Sequence, residues 1–186
     1  MPDGEIEVDD PRAEDVRDLL ERHLAFARAA SPPEAVYALD VAGLLDPAVT
    51  FFSFRAGGEL LAVGALKDLD GRHGELKSMH TARAARGRGI GRAMVTHLIE
   101  VARVRGYRRL SLETGSMAEF APARSLYQSA GFRPCGPFGG YRLSQHSTFM
   151  TLELAREARE APETKEITEH QRDPECSLGH DQAGVC

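Results

Sequence analysis

The stretch Arg86-Gly87-Arg88-Gly89-Ile90-Gly91-Arg92 combines three glycines with three arginines where a helical pattern begins. Apolar residues recur at helical spacing from Ile90 to Ala102, and Gly106 follows as a helix stop. The first N–H groups of a helix lack intrahelical partners and carry the positive end of its dipole. Glycine lets an anion approach this backbone, and arginine adds charge-assisted hydrogen bonds. The stretch therefore predicts a phosphate-binding turn at the start of a helix.

Two common nucleotide-binding motifs do not fit this turn. The Walker A pattern requires Gly-Lys-Ser/Thr after its glycines, and the chain lacks that sequence here. The dinucleotide fingerprint would need a third glycine at the position of Arg92. A basic surface turn without a ligand stays open as the alternative interpretation.

The composition favours one soluble domain in a reducing compartment. The chain has 186 residues, of which 42% are hydrophobic and 27% charged, with a net charge of −5. This acidic balance argues against general nucleic-acid binding, although the arginines cluster locally at Arg83, Arg86, Arg88 and Arg92. No signal peptide or long apolar run is present, so we expect a cytoplasmic protein with no membrane partner. The three cysteines do not suggest a disulfide framework.

The hydrophobic pattern predicts an α/β (α+β) chain in the order β-α-α-β-β-β-α-β-α-β-β. We expect strands at 6–8, 50–55, 60–67, 75–81 and 109–113, and a last pair from Phe132 to 154. We expect helices at 14–30, from Ser31 to about 45, from Ile90 to Gly106 and at 122–130. Residues 155–186 are charged and poor in large apolar side chains, which predicts a disordered tail after a domain at 1–154.

Alternation along the strand at 75–81 predicts which side chains share a face. Glu75, Lys77, Met79 and Thr81 are expected on one face, and Leu76, Ser78 and His80 on the other. In the tail, Cys176, His180 and Cys186 are too few for a structural zinc site, so we expect no metal.

Two motifs resemble the GNAT N-acetyltransferase superfamily. Arg86-x-x-Gly89-x-Gly91 resembles its acetyl-CoA signature, and Ala123-x-x-Leu126-Tyr127-x-x-x-Gly131-Phe132 resembles the element that closes the fold. The resemblance covers residues 5 to 154, and stretches such as Glu75-Leu76-Lys77-Ser78-Met79 and Leu112-Glu113-Thr114-Gly115 are similar to a YsnE-like bacterial subgroup. One departure is Phe120, at a position where family members often carry Asn.

The resemblance implies a mixed, mostly antiparallel sheet of about six or seven strands flanked by about four helices. It also implies acetyl-CoA as a co-substrate, with the pantetheine arm along the strand before the glycine turn and the diphosphate on the turn. The implied cofactor-binding residues are Met79, His80, Thr81, Arg86, Gly87, Arg88, Gly89, Ile90, Gly91, Arg92 and Ala123.

The expected chemistry is attack of an amine on the acetyl thioester. Tyr127 resembles the family's proton donor to the departing thiolate; an aromatic core residue is the alternative. An amine is protonated at neutral pH, so a base is needed, and the candidates are Glu75, then Glu113, then His80. Substrate-binding candidates are Lys77, which could meet a carboxylate, with Phe138, Tyr141 and Arg142.

Three functions stay open at this point. The first is acetyl transfer to a small-molecule amine or amino acid, and the second is a non-catalytic acyl-CoA sensor. The third is a protein Nα- or lysine acetyltransferase. Tyr127 favours an enzyme over a sensor, because a sensor needs no proton donor. A homodimer is possible on base rates alone.

Overall fold

The computed structural model describes residues 3–32, 37 and 39–154. Its strands are β1 Glu5–Val8, β2 Val49–Ala56, β3 Glu59–Asp68, β4 His73–Thr81, β5 Arg109–Gly115, β6 Arg133–Pro134 and β7 Ser147–Glu153. Its helices are α1 Glu14–Ala30, α2 Val41–Leu44, α3 Ile90–Val104 and α4 Ala121–Ser129. The element order predicted from the sequence is confirmed.

Within the described residues, one mixed sheet of seven strands has the order β1-β2-β3-β4-β5-β7-β6. The β4–β5 pair is parallel and the other pairs are antiparallel. Short turns join the antiparallel strands, as at Gly57 and Gly58, whose φ values are +56° and +84°. The crossover through α3 lets β4 and β5 run in parallel. The predicted mixed, mostly antiparallel sheet is confirmed.

Helices cover both faces of this sheet. Ile90, Met94 and Leu98 of α3 are at most 1% exposed and belong to the larger core cluster. On the other face, Val16 and Leu20 of α1 form a second buried cluster with strands β2 and β3. Full burial of such a side chain stabilises the fold by about 1.5–3 kcal/mol. The core therefore holds β3 and β4 rigidly beneath both helices.

The predicted helix from Ser31 to about residue 45 is wrong at Asp40, which lies within it and is not helical. Residues 33–36 and 38 lie outside the described part of the chain. Asp40 has an extended backbone, and its Oδ1 accepts a hydrogen bond from the Gly43 N–H at 2.8 Å. An Asp in this conformation caps a new helix start. The short helix α2 therefore begins at Val41 and does not continue an earlier helix.

A β-bulge overturns the predicted alternation along β4. Ala65 pairs with Lys77 and Val63 with His80, so a single residue of β3 lies opposite both Ser78 and Met79. One extra residue reverses which face each following side chain occupies. Met79 packs with the α3 cluster, and His80 meets α1. The prediction that Met79 shares a face with Glu75, and that His80 lies opposite, is wrong.

The predicted tail at 155–186, with Cys176, His180 and Cys186, lies outside the described residues. Among the helices that the structure describes, none combines the length and the apolar character that crossing a membrane requires.

Candidate active site

A cleft opens where β4 and β5 stop pairing. Their parallel register ends at Leu76 and Leu112, although β4 continues to Thr81 and β5 to Gly115. Both strand ends line a cavity of about 540 Å³. Because the strands no longer bond to each other, backbone groups of β4 on this side are available to a ligand.

The register of β4 shows which of its backbone groups face the cleft. Ala82 N–H donates to Leu61 O on the β3 side at 2.8 Å. Backbone groups alternate along a strand, so His80 also faces β3, whereas Met79 and Thr81 face the cleft. Arg86 Nε donates to the Thr81 carbonyl at 3.2 Å. That carbonyl therefore already has one donor, and Met79 is the backbone position that is fully open.

The glycine turn forms one end of the cavity. Gly87 has φ +76° and Gly89 has φ +81°, a region that residues with a Cβ rarely occupy. Gly89 is the N-cap of α3, and no side chain caps the first N–H groups of that helix. A Cβ built on either glycine would meet no atom within 4 Å. The helix start is thus bare and faces open space, as an anion site requires.

Positive charge surrounds this bare helix start. The cavity is lined by Arg86 and Arg92, and Arg92 reaches Ser129 Oγ at 3.4 Å. Arg88 is exposed and lies outside the cavity wall. No carboxylate among the described residues forms an ion pair with Arg83, Arg86, Arg88 or Arg92. The local charge is therefore not neutralised by this part of the chain.

Tyr127 of α4 lies on the wall of the same cavity. It is 6% exposed, and its ring packs edge-on against Phe132 at 5.9 Å between centroids. Burial raises the pKa of the Tyr127 phenol well above its ordinary value, and the Glu113 charge adds to the effect. The phenol is therefore protonated at neutral pH and can donate a hydrogen bond.

Of the two predicted carboxylate bases, Glu113 lines the cavity and Glu75 does not. Burial raises the pKa of Glu113 and outweighs the nearby Ser147 hydroxyl and the Lys77 charge, which lower it, while the Glu75 charge adds a smaller rise. Glu75 is 4% exposed and accepts a hydrogen bond from Tyr141 Oη at 2.5 Å. The roles of both carboxylates stay predictions, but only Glu113 lies where a ligand in the cavity would reach it.

The Lys77 ammonium is held by neighbouring groups. Lys77 Nζ donates to Tyr141 Oη at 2.7 Å and to the Tyr37 carbonyl at 3.0 Å, and lies 3.4 Å from Glu75 Oε1. Three partners occupy its three protons. Lys77 lines the cavity, yet its charge already has partners without any substrate carboxylate.

The other predicted substrate residues lie behind the cavity wall. Phe138 and Tyr141 pack with Phe149 at centroid distances of 5.2 to 6.0 Å and do not line the cavity. Burial and the Glu75 charge raise the pKa of Tyr141. Arg142 is exposed.

The structure brings together two histidines that the sequence did not pair. His23 of α1 and His80 of β4 both line the cavity, with their Nδ1 atoms 3.2 Å apart. Burial lowers the pKa of His23 to about 4 and that of His80 to about 3. Both rings are therefore neutral at neutral pH, with one Nδ1 donating to the other. No sign of this pair is visible in the sequence, because His23 lies at helical spacing among the apolar residues of α1. His80 turns toward α1 only because the bulge reverses its face.

Part of the cavity wall is apolar, at Phe120, where the sequence departs from the motif that it resembles. Phe120 packs against Phe26 of α1 at 5.2 Å between centroids. A Cβ at Gly115 would overlap the Phe120 ring. Arg124 instead supplies polar contacts, because it donates to the Gly115 carbonyl at 2.6 Å. Phe120 and Ala123 both line the cavity.

These groups suit the transfer of an acyl group from a phosphate-bearing carrier. One end of the cavity offers bare N–H groups and cations, while its wall carries a protonated phenol, Tyr127, and a carboxyl group, Glu113. Among the described residues, no three His, Cys, Asp or Glu side chains converge to hold a metal ion.

Comparisons with known proteins point the same way. The model of the Acetyltransferase (GNAT) family matches residues 13–132. The chain is 48% identical to the uncharacterized N-acetyltransferase YsnE of Bacillus subtilis over 149 residues, which are 80% of this chain and 99% of that protein. It is 45% identical to the uncharacterized N-acetyltransferase YedL of Escherichia coli over 149 residues, 80% of this chain and 94% of that protein.

A solved structure shows the same fold. A GNAT family acetyltransferase from Elizabethkingia anophelis with acetyl-CoA bound superposes with a TM-score of 0.62 at 18% identity. The match covers 83% of this chain and 100% of that one.

Proposed function

Because the chain belongs to the GNAT acetyltransferase family, we propose that it transfers the acetyl group of acetyl-CoA to the amine of a small molecule. The amine attacks the thioester directly while both substrates occupy the cleft. The observation that supports this proposal is that one cavity joins the bare start of α3 to Tyr127 and Glu113. We assign this activity to residues 1–154.

The proposal seats coenzyme A along the open side of β4. The diphosphate meets the N–H groups at Gly89 to Gly91 and the side chains of Arg86 and Arg92, since these groups line one end of the cavity. The pantetheine arm lies against the backbone of Met79 and Thr81. An extended arm that bonds to this edge continues the sheet, which places the thioester near the point where β4 and β5 diverge.

Two side chains manage the protons of the reaction. Glu113 accepts a proton from the ammonium form of the acceptor, and its raised pKa makes it a stronger base than an ordinary carboxylate. The amine nitrogen then forms a bond to the acetyl carbon as the carbon–sulfur bond breaks, and the nitrogen loses its second proton to solvent. The sulfur leaves with the electron pair of the broken bond and takes a proton from Tyr127 Oη. The proton that Glu113 accepted then returns to Tyr127 through solvent.

A thiol-release assay with acetyl-CoA and a panel of amines, amino acids and peptides tests the proposal. We expect turnover with at least one small amine. Tyr127→Phe keeps the ring packing and removes the donor, so kcat should fall by roughly 10²- to 10⁴-fold. Calorimetry with CoA supplies the control, because Tyr127→Phe should bind CoA as the wild type does.

The outcomes separate the competing functions. CoA binding without turnover on any acceptor would favour a sensor over an enzyme. Turnover confined to peptides would favour a protein acetyltransferase. Unchanged kcat in Tyr127→Phe would leave the enzyme assignment intact and remove Tyr127 as the acid.

A further inference from the structure

Ser78 has an unusual backbone for its residue type. Its φ is +51°, and every other described residue with positive φ is a glycine. Glycine adopts this region without steric cost, whereas a residue with a Cβ is strained there. Such strain persists where the surrounding structure holds it, and it often marks a functional position. Ser78 is the extra residue of the β4 bulge, so the strain coincides with the change of face described above.

The hydroxyl of Ser78 carries a second cost. The residue is 7% exposed, and its Oγ is buried with no hydrogen-bond partner in the described structure. Buried polar groups are nearly always bonded, so an orphaned hydroxyl needs an explanation. Glycine at this position would remove both the strain and the orphaned hydroxyl, which indicates that the hydroxyl itself has a use.

The position of Ser78 suggests that use. It lines the cavity two residues beyond Leu76, the last residue of β4 that pairs with β5. The glycine turn lies at the opposite end of the open segment of β4, beyond Thr81. A carrier with its phosphates on the turn and its arm along Met79 and Thr81 therefore brings its acyl end to Ser78. For this role Oγ has to turn toward the cavity, which a change of χ1 between staggered rotamers allows.

We propose that Ser78 Oγ–H donates a hydrogen bond to the carbonyl oxygen of the bound acetyl thioester. The inference rests on the proposed function, because it takes acetyl-CoA as the ligand. As the amine nitrogen bonds to the carbonyl carbon, the π electron pair moves to the oxygen, which becomes negative. Ser78 stabilises that charge and keeps its own proton. The pair then returns as the sulfur leaves with the proton from Tyr127, so Ser78 is unchanged by the cycle.

Two substitutions separate the hydroxyl from the backbone. Ser78→Gly removes the hydroxyl and relieves the strain, and Ser78→Ala removes the hydroxyl and keeps the strain. We expect Ser78→Gly to melt about 2–4 °C above Ser78→Ala. Both variants should nevertheless lose kcat alike, on the order of 10²-fold, as for other donors to a developing oxyanion. Greater stability with lower activity is the pattern that a purely structural role does not produce.

Calorimetry gives a readout that needs no acceptor. CoA lacks the acetyl carbonyl, so both variants should bind CoA like the wild type and bind acetyl-CoA about three- to tenfold more weakly. If acetyl-CoA binding and kcat are unchanged in Ser78→Gly while the wild type binds both ligands, the role of Ser78 is refuted and the proposed function stands. If the wild type binds neither ligand, both proposals are refuted.

Discussion

Replacement of Gly89 by alanine tests the phosphate site at the start of α3. The φ of Gly89 is +81°, and an added Cβ would meet no atom within 4 Å. The cost to folding is therefore conformational and not steric, about 1 kcal/mol for a residue with a Cβ in the left-handed region. For a chain of this size that corresponds to a fall in Tm of about 2–4 °C.

The effect of Gly89→Ala on ligand binding should be larger than its effect on folding. The new methyl group projects into the open space over the bare helix start, where the diphosphate is proposed to lie. Loss of one hydrogen bond to a charged group costs about 1.5–3 kcal/mol. The Kd for CoA should therefore rise roughly 10- to 150-fold, since each 1.4 kcal/mol is a factor of ten.

Gly106 provides a matched control at the other end of the same helix. Its φ is +77°, and a Cβ there also meets no atom within 4 Å. Gly106→Ala should lower Tm by the same few degrees and leave the Kd for CoA unchanged. Calorimetric titration of both variants with CoA, beside thermal unfolding, makes the comparison. Equal CoA affinity in Gly89→Ala and Gly106→Ala would refute the assignment of the glycine turn as the diphosphate site.

The remaining predictions concern buried polar groups. With pKa values of about 4 and about 3 in the folded state and about 6.5 when unfolded, His23 and His80 stabilise the fold above pH 6.5, and this is lost as the pH falls toward 4. Urea titrations should therefore show wild type losing about 4 kcal/mol more between pH 7 and 5 than the His23→Gln/His80→Gln variant, which is about 2 kcal/mol for each histidine; an equal loss would show that the pair is not held neutral. Tyr141→Phe removes the donor to buried Glu75 and should lower the free energy of unfolding by about 1–3 kcal/mol. Tyr37→Phe is the control, because the backbone carbonyl of residue 37 still accepts the hydrogen bond from Lys77 Nζ, and its urea midpoint should move less. An equal shift in both variants would argue against the hydrogen bond from Tyr141 to Glu75.

Local signals were sufficient to predict the order of the elements. Each helix or strand carries its own apolar period, and glycines such as Gly106 and Gly131 end helices through positive φ values of +77° and +95°. Because these signals act within a few residues, the bounds of α1 and α3 follow from the sequence. The exception is the segment before α2, where Asp40 caps a new helix that the apolar spacing did not reveal.

The candidate site was predicted in part, for the same reason. The glycine turn is a contiguous motif, and Tyr127 follows from the second motif, so both were identified and both line the cavity. The two candidate bases were ranked without knowledge of where β4 and β5 diverge. The end of pairing at Leu76 and Leu112 leaves Glu75 in the sealed part of the sheet and Glu113 in the open part.

The sequence by itself thus determined the order of the elements and the glycine turn at the start of α3, because these depend on near neighbours in the chain. The tertiary structure alone decided which side chains meet across the cleft. A single extra residue at Ser78 reverses the faces of Met79 and His80, and residues 57 positions apart, His23 and His80, come within hydrogen-bond distance. Alternation along a strand carries no signal for a bulge, since its position is set by pairing with another strand.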